Sequence, residues 1–293
     1  MIDLVEKLFE QQVQSWPRLA LGVEGLAQAQ TRSLRIGWFD VFVRHIPHRV
    51  GSATAAVDPE SIAKRPCFLC EANLDPEERG IPFGTDYVIY CNPFPIVPRH
   101  ISIMDRKHGS QHIDDEVGVM LDIATALPGY FVIYNGPECG ASAPDHMHFQ
   151  AGLRDLFPIE TDTAVVRGAA VRNYARNVFL FRESDRSHLL NKVNRTIELL
   201  MELTRKRPEP LLNIAVFHHQ GEWTLYLFPR SAHRPHVYYT GELTISPGTI
   251  DLCGLVVAPF QKDFEKISGE DIAAIFREVT LPDAMFEDIA SRL

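Results

Sequence analysis

The chain has 293 residues, enough for one large domain or two of ordinary size, and its 45% hydrophobic and 23% charged content is that of a soluble globular protein. Against 38 acidic residues stand 29 Lys and Arg, a formal charge of −9 that argues against bulk nucleic-acid or anionic-membrane binding and leaves room only for a local basic pocket. Five cysteines, an odd and low number, disfavour a disulfide framework and suit a reducing cytoplasm.

The opening segment MIDLVEKLFEQQVQSW places Ile2, Leu4, Val5, Leu8, Phe9 and Val13 at helical spacing. It reads as an acidic amphipathic helix, not a targeting segment, and no apolar run reaches the length of a membrane span. WFDVFVRHIPHRV then reads as a strand and turn. CFLC opens a loop rich in Pro and Gly, and YVIYCNPFPIVPRHISIMDRKH reads as two short strands joined through a proline turn. HIDDEVGVMLDIATAL carries acids in its first turn and the apolar stripe Val117, Met120, Leu121, Ala124 and Leu127, which predicts a helix. GYFVIYNG is a strand, a glycine-rich loop follows, and HMHFQAG is the next strand, beginning at His146. In the second half, SDRSHLLNKVNRTIELLMELTRKR predicts a long helix with Leu189, Val193, Ile197, Leu200 and Met201 on one face. LLNIAVFHHQGEWTLYLFPR predicts a hairpin, and two closing helices start at Ser268 and Pro282. No long linker marks a boundary; the division expected is residues 1–160 and 161–293.

Chemistry concentrates in two places in the first half. Cys67 and Cys70 form a CxxC that suits zinc, redox chemistry or neither. The redox reading is the weaker, because no helix starts after the first cysteine. A tetrahedral site needs two more ligands, and His108 and His146, which flank strands, are the candidates; from spacing alone His108 reads more readily as a surface residue after a strand. The other place is CGASAPDHMHFQAG, where His146, His148 and Gln150 fall at every second position and so share a strand face. A neutral imidazole at His148 is a good nucleophile toward activated phosphorus. The loop before it offers Asn135, Gly136, Gly140, Ala141 and Ser142, small residues that let backbone N–H groups and a hydroxyl approach an anion. Gln150 can donate to phosphate but cannot act as acid or base. Cys139 is a rival thiol nucleophile with less to activate it, and Cys91 and Cys253 read as core. PRSAHRPHVYY gathers Arg230, His233, Arg234, His236 and Tyr238, a cluster that suits phosphate or a solvated loop.

NGPECGASAPDHMHFQ, with CFLC and NPFPIVPRHISIMDRKH before it in order, resembles the transferase branch of the histidine-triad superfamily. That branch holds galactose-1-phosphate uridylyltransferase and the diadenosine tetraphosphate and GDP-hexose phosphorylases. The resemblance is clear over residues 65–152 and loose beyond. It departs from the uridylyltransferase in having Met147 where that enzyme has Pro. The fold it implies is α+β, two histidine-triad-like units with antiparallel sheets flanked by helices. The resemblance puts the nucleotidylated nucleophile on His148, a phosphate contact on Gln150, and structural Zn2+ on Cys67, Cys70, His108 and His146. Asn135, Gly140, Ser142, Arg230 and His233 are the expected substrate contacts. The activity it implies is transfer of a nucleotide, from a nucleoside polyphosphate or nucleotide sugar, through His148 to inorganic phosphate or a sugar phosphate. The alternatives are a hydrolase on the same scaffold and a non-catalytic nucleotide-binding protein. No nucleic-acid or membrane partner is expected, a homodimer is possible, and the location expected is cytoplasmic.

Overall fold

The computed structural model describes residues 1–293. Its strands are β1 (Gln30–Ile36), β2 (Phe39–His45), β3 (Gly80–Phe83), β4 (Tyr87–Cys91), β5 (Ile101–Asp105), β6 (Tyr130–Asn135), β7 (His148–Leu153), β8 (Ala170–Val171), β9 (Val178–Glu183), β10 (Leu212–His219), β11 (Glu222–Pro229) and β12 (Leu255–Ala258). Nine of them make one sheet in the order β3-β4-β5-β7-β6-β10-β11-β9-β8, antiparallel throughout. The two units expected from the sequence therefore share a sheet. The first half supplies β3 to β7, the second β8 to β11, and the seam is the β6–β10 pair, with Asn135 opposite Asn213. The hairpin β10–β11 turns through Gln220 and Gly221, both left-handed, which matches the twist of the strands it joins.

Alternation along these strands sorts the residues. Ile101 and Ile103, Val132 and Tyr134, Phe149 and Ala151 point to one face and join a core under the helices Ile2–Ser15, Val117–Ala126, Arg186–Thr204 and Asp283–Ala290. The other face is covered in the second half by a three-stranded sheet, β1-β2-β12, and by the helix Gly269–Val279. That helix starts from a Ser268 capping box and buries Ile272, Ala273, Ile275, Phe276 and Val279. At roughly 1.5–3 kcal/mol for each large apolar side chain buried, this stripe holds it to the sheet. On the first-half end of the same face no such layer exists, and His148, Gln150, Ser102 and Asn135 project there into a cavity. The segment from residue 47 to residue 66, three short helical turns whose residues are all at least partly exposed, lies across it. No helix of the chain is long and apolar enough to cross a membrane.

The elements predicted from the sequence are found, with two shifts. β7 begins at His148, not His146, because the residues before it form a turn in which the His146 N–H bonds the Ala143 carbonyl. β5 likewise ends at Asp105, short of His108.

The helix Pro17–Ala27 packs closely on the proline turn that presents Asn92 to the cavity. A Cβ on Gly22 would lie 2.2 Å from the Pro93 carbonyl oxygen, which is backbone and cannot swing away. Gly22→Ala should lower stability by about 1–3 kcal/mol, read as a lower urea midpoint at unchanged slope. An unchanged midpoint would mean that the helix is not docked there.

Candidate active site and metal centre

Four donor atoms of Cys67, Cys70, His108 and His146 lie within 4.8 Å of one another. The Cys67 Sγ is 3.4 Å from the His146 Nδ1, and the Cys70 Sγ is 3.3 Å from the His108 Nδ1. The far nitrogen of His146, Nε2, donates to the Asp105 carbonyl at 2.7 Å, which leaves Nδ1 free of a proton and aimed at the thiols. This donor set, two sulfurs and two imidazoles within 4.8 Å of one another, fits a metal ion. Burial opposes ionisation of Cys67, but the His146 contact outweighs it and brings that thiol down to about 7. The cluster closes on a small core of Leu69, Val88, Tyr90, Met104 and Ala143, and Arg65 bonds Asp145 at 2.6 Å alongside it. The loop and the start of β7 are thus joined before any ion is added.

Two residues along, His148 turns the other way. Its Nδ1–H donates to the His146 carbonyl at 2.8 Å, so Nε2 carries the lone pair, and Nε2 has no partner within the chain. Burial pushes its pKa down to about 4, with the backbone bond opposing, and the ring is neutral at pH 7. Its backbone is held by Gln111, which is fully buried. The Gln111 side chain accepts from the His148 N–H at 2.8 Å and donates to the His148 carbonyl at 2.9 Å and the Asn135 carbonyl at 3.0 Å. Sequence reasoning missed Gln111, which sits in a loop without motif character.

It also missed His100, although that residue lies inside NPFPIVPRHIS. The Ile96 N–H donates to the His100 Nδ1 at 3.2 Å, so the proton sits on Nε2, which donates to the Gln150 Oε1 at 3.0 Å. Burial holds His100 neutral, its pKa down to about 3. With its oxygen occupied, Gln150 keeps its NH2 for a ligand. Asn135 is oriented in the same way. Its Oδ1 accepts from the Thr249 N–H at 2.9 Å, the Thr249 hydroxyl at 2.8 Å and the Asn213 amide at 2.9 Å, which leaves its NH2 free. The Ser142 hydroxyl lines the same cavity.

The second half contributes differently from what the sequence suggested. Arg230 is 1% exposed and does not line the cavity. Its five N–H groups are all spent, on the Val279, Pro247, Ala232 and His233 carbonyls and on the Asn213 Oδ1. It has no donor left for phosphate, and its work is to tie the seam strands to the loop around Pro247. His233 does line the cavity, and neither of its buried ring nitrogens makes a hydrogen bond of good geometry inside the chain. Arg234 joins it, its guanidinium over the Tyr238 ring at 4.4 Å. Arg49, unforeseen from the sequence, enters from the segment after β2. Burial brings its pKa down to about 10, with Asp251 opposing the fall, so it stays charged. Gly140 sits at φ +96 with its α-carbon against the backbone of Gly248; a Cβ there would lie 2.8 Å from the Gly248 Cα. Gly136 donates to the Leu212 carbonyl and is not available to an anion.

The cavity over His148 has a volume of about 110 Å3, and Arg49, Phe68, Asn92 and Ser142 also line a neighbouring chamber of about 600 Å3. Its chemistry is that of an anion site built of neutral donors near the strand and cations opposite, with an unprotonated imidazole on the floor.

Cys67→Ser should cut the metal bound per chain, measured by elemental analysis of the purified protein, to well below the wild-type level; undiminished metal would rule out this centre. Gln111→Leu leaves three buried backbone groups unpaired. It should cost on the order of 3 kcal/mol, visible as a lower denaturation midpoint, since each orphaned group is worth about 1–3 kcal/mol.

Residues 8–153 match the family described as a domain of unknown function, DUF4922, and residues 155–293 match the GDPGP1-like C-terminal domain. No curated protein matches the chain. Among solved structures, yeast Ap4A phosphorylase Apa2 in complex with AMP superposes with a TM-score of 0.63 at 14% identity, covering 92% of this chain and 97% of that one. The same enzyme in complex with Ap4A gives 0.59 at 15% identity, over 91% and 97% of the two chains. At such identity the likeness is one of fold. The chain is thus similar in turn to a DUF4922 domain and to a GDPGP1-like C-terminal domain, and its fold is like that of the yeast phosphorylase.

Proposed function

We propose that the protein is a nucleotidyltransferase of the phosphorylase type that works by double displacement through His148. The observation that carries this reading is the neutral imidazole whose Nδ1–H is tied to its own strand, with Nε2 open to a cavity lined by Arg49, His233 and Arg234. Nε2 attacks the α-phosphorus of a nucleoside polyphosphate or nucleotide sugar. A P–N bond forms, the P–O bond to the β-phosphate breaks, and the remainder leaves as its phosphate. An oxygen of inorganic phosphate, or of a sugar phosphate, then attacks the same phosphorus and the P–N bond breaks. The imidazole returns neutral.

The acceptor arrives as an anion, so no base is needed at the third position of the motif. Gln150 serves instead as a donor, and its orientation by His100 supports that role. With the Ser142 hydroxyl and the Asn135 amide it would stabilise charge on the nonbridging oxygens. Arg49, His233 and Arg234 would hold the departing or arriving phosphate, which favours phosphate over water as acceptor. The complexes of the yeast phosphorylase with AMP and Ap4A support a nucleotide ligand on this fold.

Cys67, Cys70, His108 and His146 would hold Zn2+, which when bound supplies a structural cross-link between the CxxC loop and the catalytic strand. The carbonyl that orients His148 belongs to one of those ligands, so the centre fixes the nucleophile through a single peptide unit.

Incubation with a panel of nucleotide sugars and dinucleoside polyphosphates, followed by intact-mass analysis, should show the addition of one mononucleotide. The adduct should be absent from His148→Ala and discharged by inorganic phosphate to a nucleoside diphosphate. An adduct in His148→Ala would sink the mechanism, and release of free mononucleotide independent of phosphate would favour hydrolysis. His100→Phe, which frees the Gln150 amide to turn, should slow adduct formation about 10- to 100-fold without loss of bound metal.

A further inference from the structure

The two neighbouring cavities, which share Arg49, Phe68, Asn92 and Ser142 in their walls, differ in chemistry. The larger, of about 600 Å3, is walled by the rings of Trp16, Phe68 and Phe94. The smaller, over His148, is about 110 Å3, below the roughly 300–1,000 Å3 of ordinary ligand pockets. On its second-half side it presents Asp251, Ser246 and Thr249 beside the cations already described, and Phe68 on the shared wall is its one carbocyclic ring.

A carboxylate opposes the binding of phosphates, because like charges repel, although Asp251 also offsets the charge of Arg49 on the same cavity wall. Asp251 is nevertheless held there rigidly. Its Oδ2 accepts from the Gly248 N–H at 2.9 Å and its Oδ1 from the Val257 N–H at 2.8 Å, and it makes no hydrogen bond to a Lys or Arg. Each oxygen keeps acceptor capacity beyond its backbone bond. The turn that carries it is anchored by Thr249, whose N–H and hydroxyl both bond the Asn135 Oδ1. Burial raises its carboxyl to about 6 against the pull of those backbone N–H groups, so at neutral pH it is an anion. Fixed, charged acceptors of this kind suit hydroxyl groups. An aromatic chamber on one side and a small polar one on the other suit a ligand with a base at one end and a polyol at the other.

We infer that Asp251 is a specificity-determining residue that accepts hydroxyl groups of the sugar in a nucleotide-sugar substrate, with the nucleoside in the aromatic chamber. This rests on the nucleotidyltransferase reading above. It separates nucleotide sugars from dinucleoside polyphosphates, whose second nucleoside would meet a carboxylate in a space too small for it.

The test is the rate of nucleotidyl-enzyme formation, by quenched mass analysis, for a nucleoside diphosphate hexose, its singly deoxygenated hexose analogues and the dinucleoside tetraphosphate of the same base. Wild-type protein should prefer the hexose compound and lose rate with at least one deoxy analogue. In Asp251→Asn the preference for hexose over dinucleoside compound should fall about 10- to 100-fold, and the penalty for the deoxy analogue should vanish, as expected for loss of a charge-assisted hydrogen bond. An unchanged preference, or a deoxy penalty that persists in the variant, would overturn the assignment even if all rates drop through loosening of the turn. Failure of every nucleotide to label wild-type protein would be a separate result, overturning the histidine reading and this inference with it.

Discussion

The site depends on one amide. β6 and β7 pair through Ile133 and Gln150, and beyond that point they part, leaving the His148 N–H and carbonyl and the Asn135 carbonyl without strand partners. The Gln111 side chain fills the gap and satisfies all three, as a peptide group of an intervening strand would. The parting makes the space that His148 and Asn135 line, and the amide offsets its cost in unpaired backbone groups. A buried, fully satisfied polar group of this kind also fixes geometry more tightly than apolar packing does, because each bond has a direction.

From that clamp the arrangement proceeds outward through tautomers. His146, His148 and His100 each have one ring nitrogen committed to a backbone group, and the commitment decides what the other does. In His146 the free nitrogen meets thiols, in His148 it meets the cavity, and in His100 the proton is passed to Gln150 so that an amide faces the right way. Three histidines with similar surroundings acquire three different roles from backbone contacts alone. Burial keeps His148 and His100 neutral, and a neutral ring is what each role requires.

What the sequence disclosed, and what it concealed, follows from distance along the chain. His146, His148 and Gln150 are neighbours on or beside one strand, so their alternation was legible in a short stretch, and CxxC is a local motif. The partners that give these residues their orientation are remote: Gln111 is 37 positions from His148, and His100 is 50 positions from Gln150. No periodicity links such pairs. Arg230 was misread for a related reason. A cluster of cations says nothing of how many backbone carbonyls await them, and five acceptors around one guanidinium turn a phosphate candidate into a tie between strands. Arg49 and Asp251 lay in segments with no motif at all, and only the fold brings them to the cavity over β7.

The β6–β10 seam has one further effect, on motion. Because the halves are joined by a continuous ladder of main-chain bonds, with Asn213, Arg230 and Pro247 cross-linked beneath it, they cannot swing apart as two jaws about a linker. The cavity is covered by the strap from residue 47 to residue 66, every residue of which is at least partly exposed and which bonds the second half where Arg234 and Tyr238 reach the Ala53 and Ala55 carbonyls. The two halves thus form one slab beneath the cavity, and the strap over it is tied to the first half as well, by His48 to the Pro95 carbonyl, Arg49 to the Phe94 carbonyl and Arg65 to Asp145. The fastening includes Arg234, which also lines the cavity, so one guanidinium belongs both to the hold on the cover and to the wall beneath it.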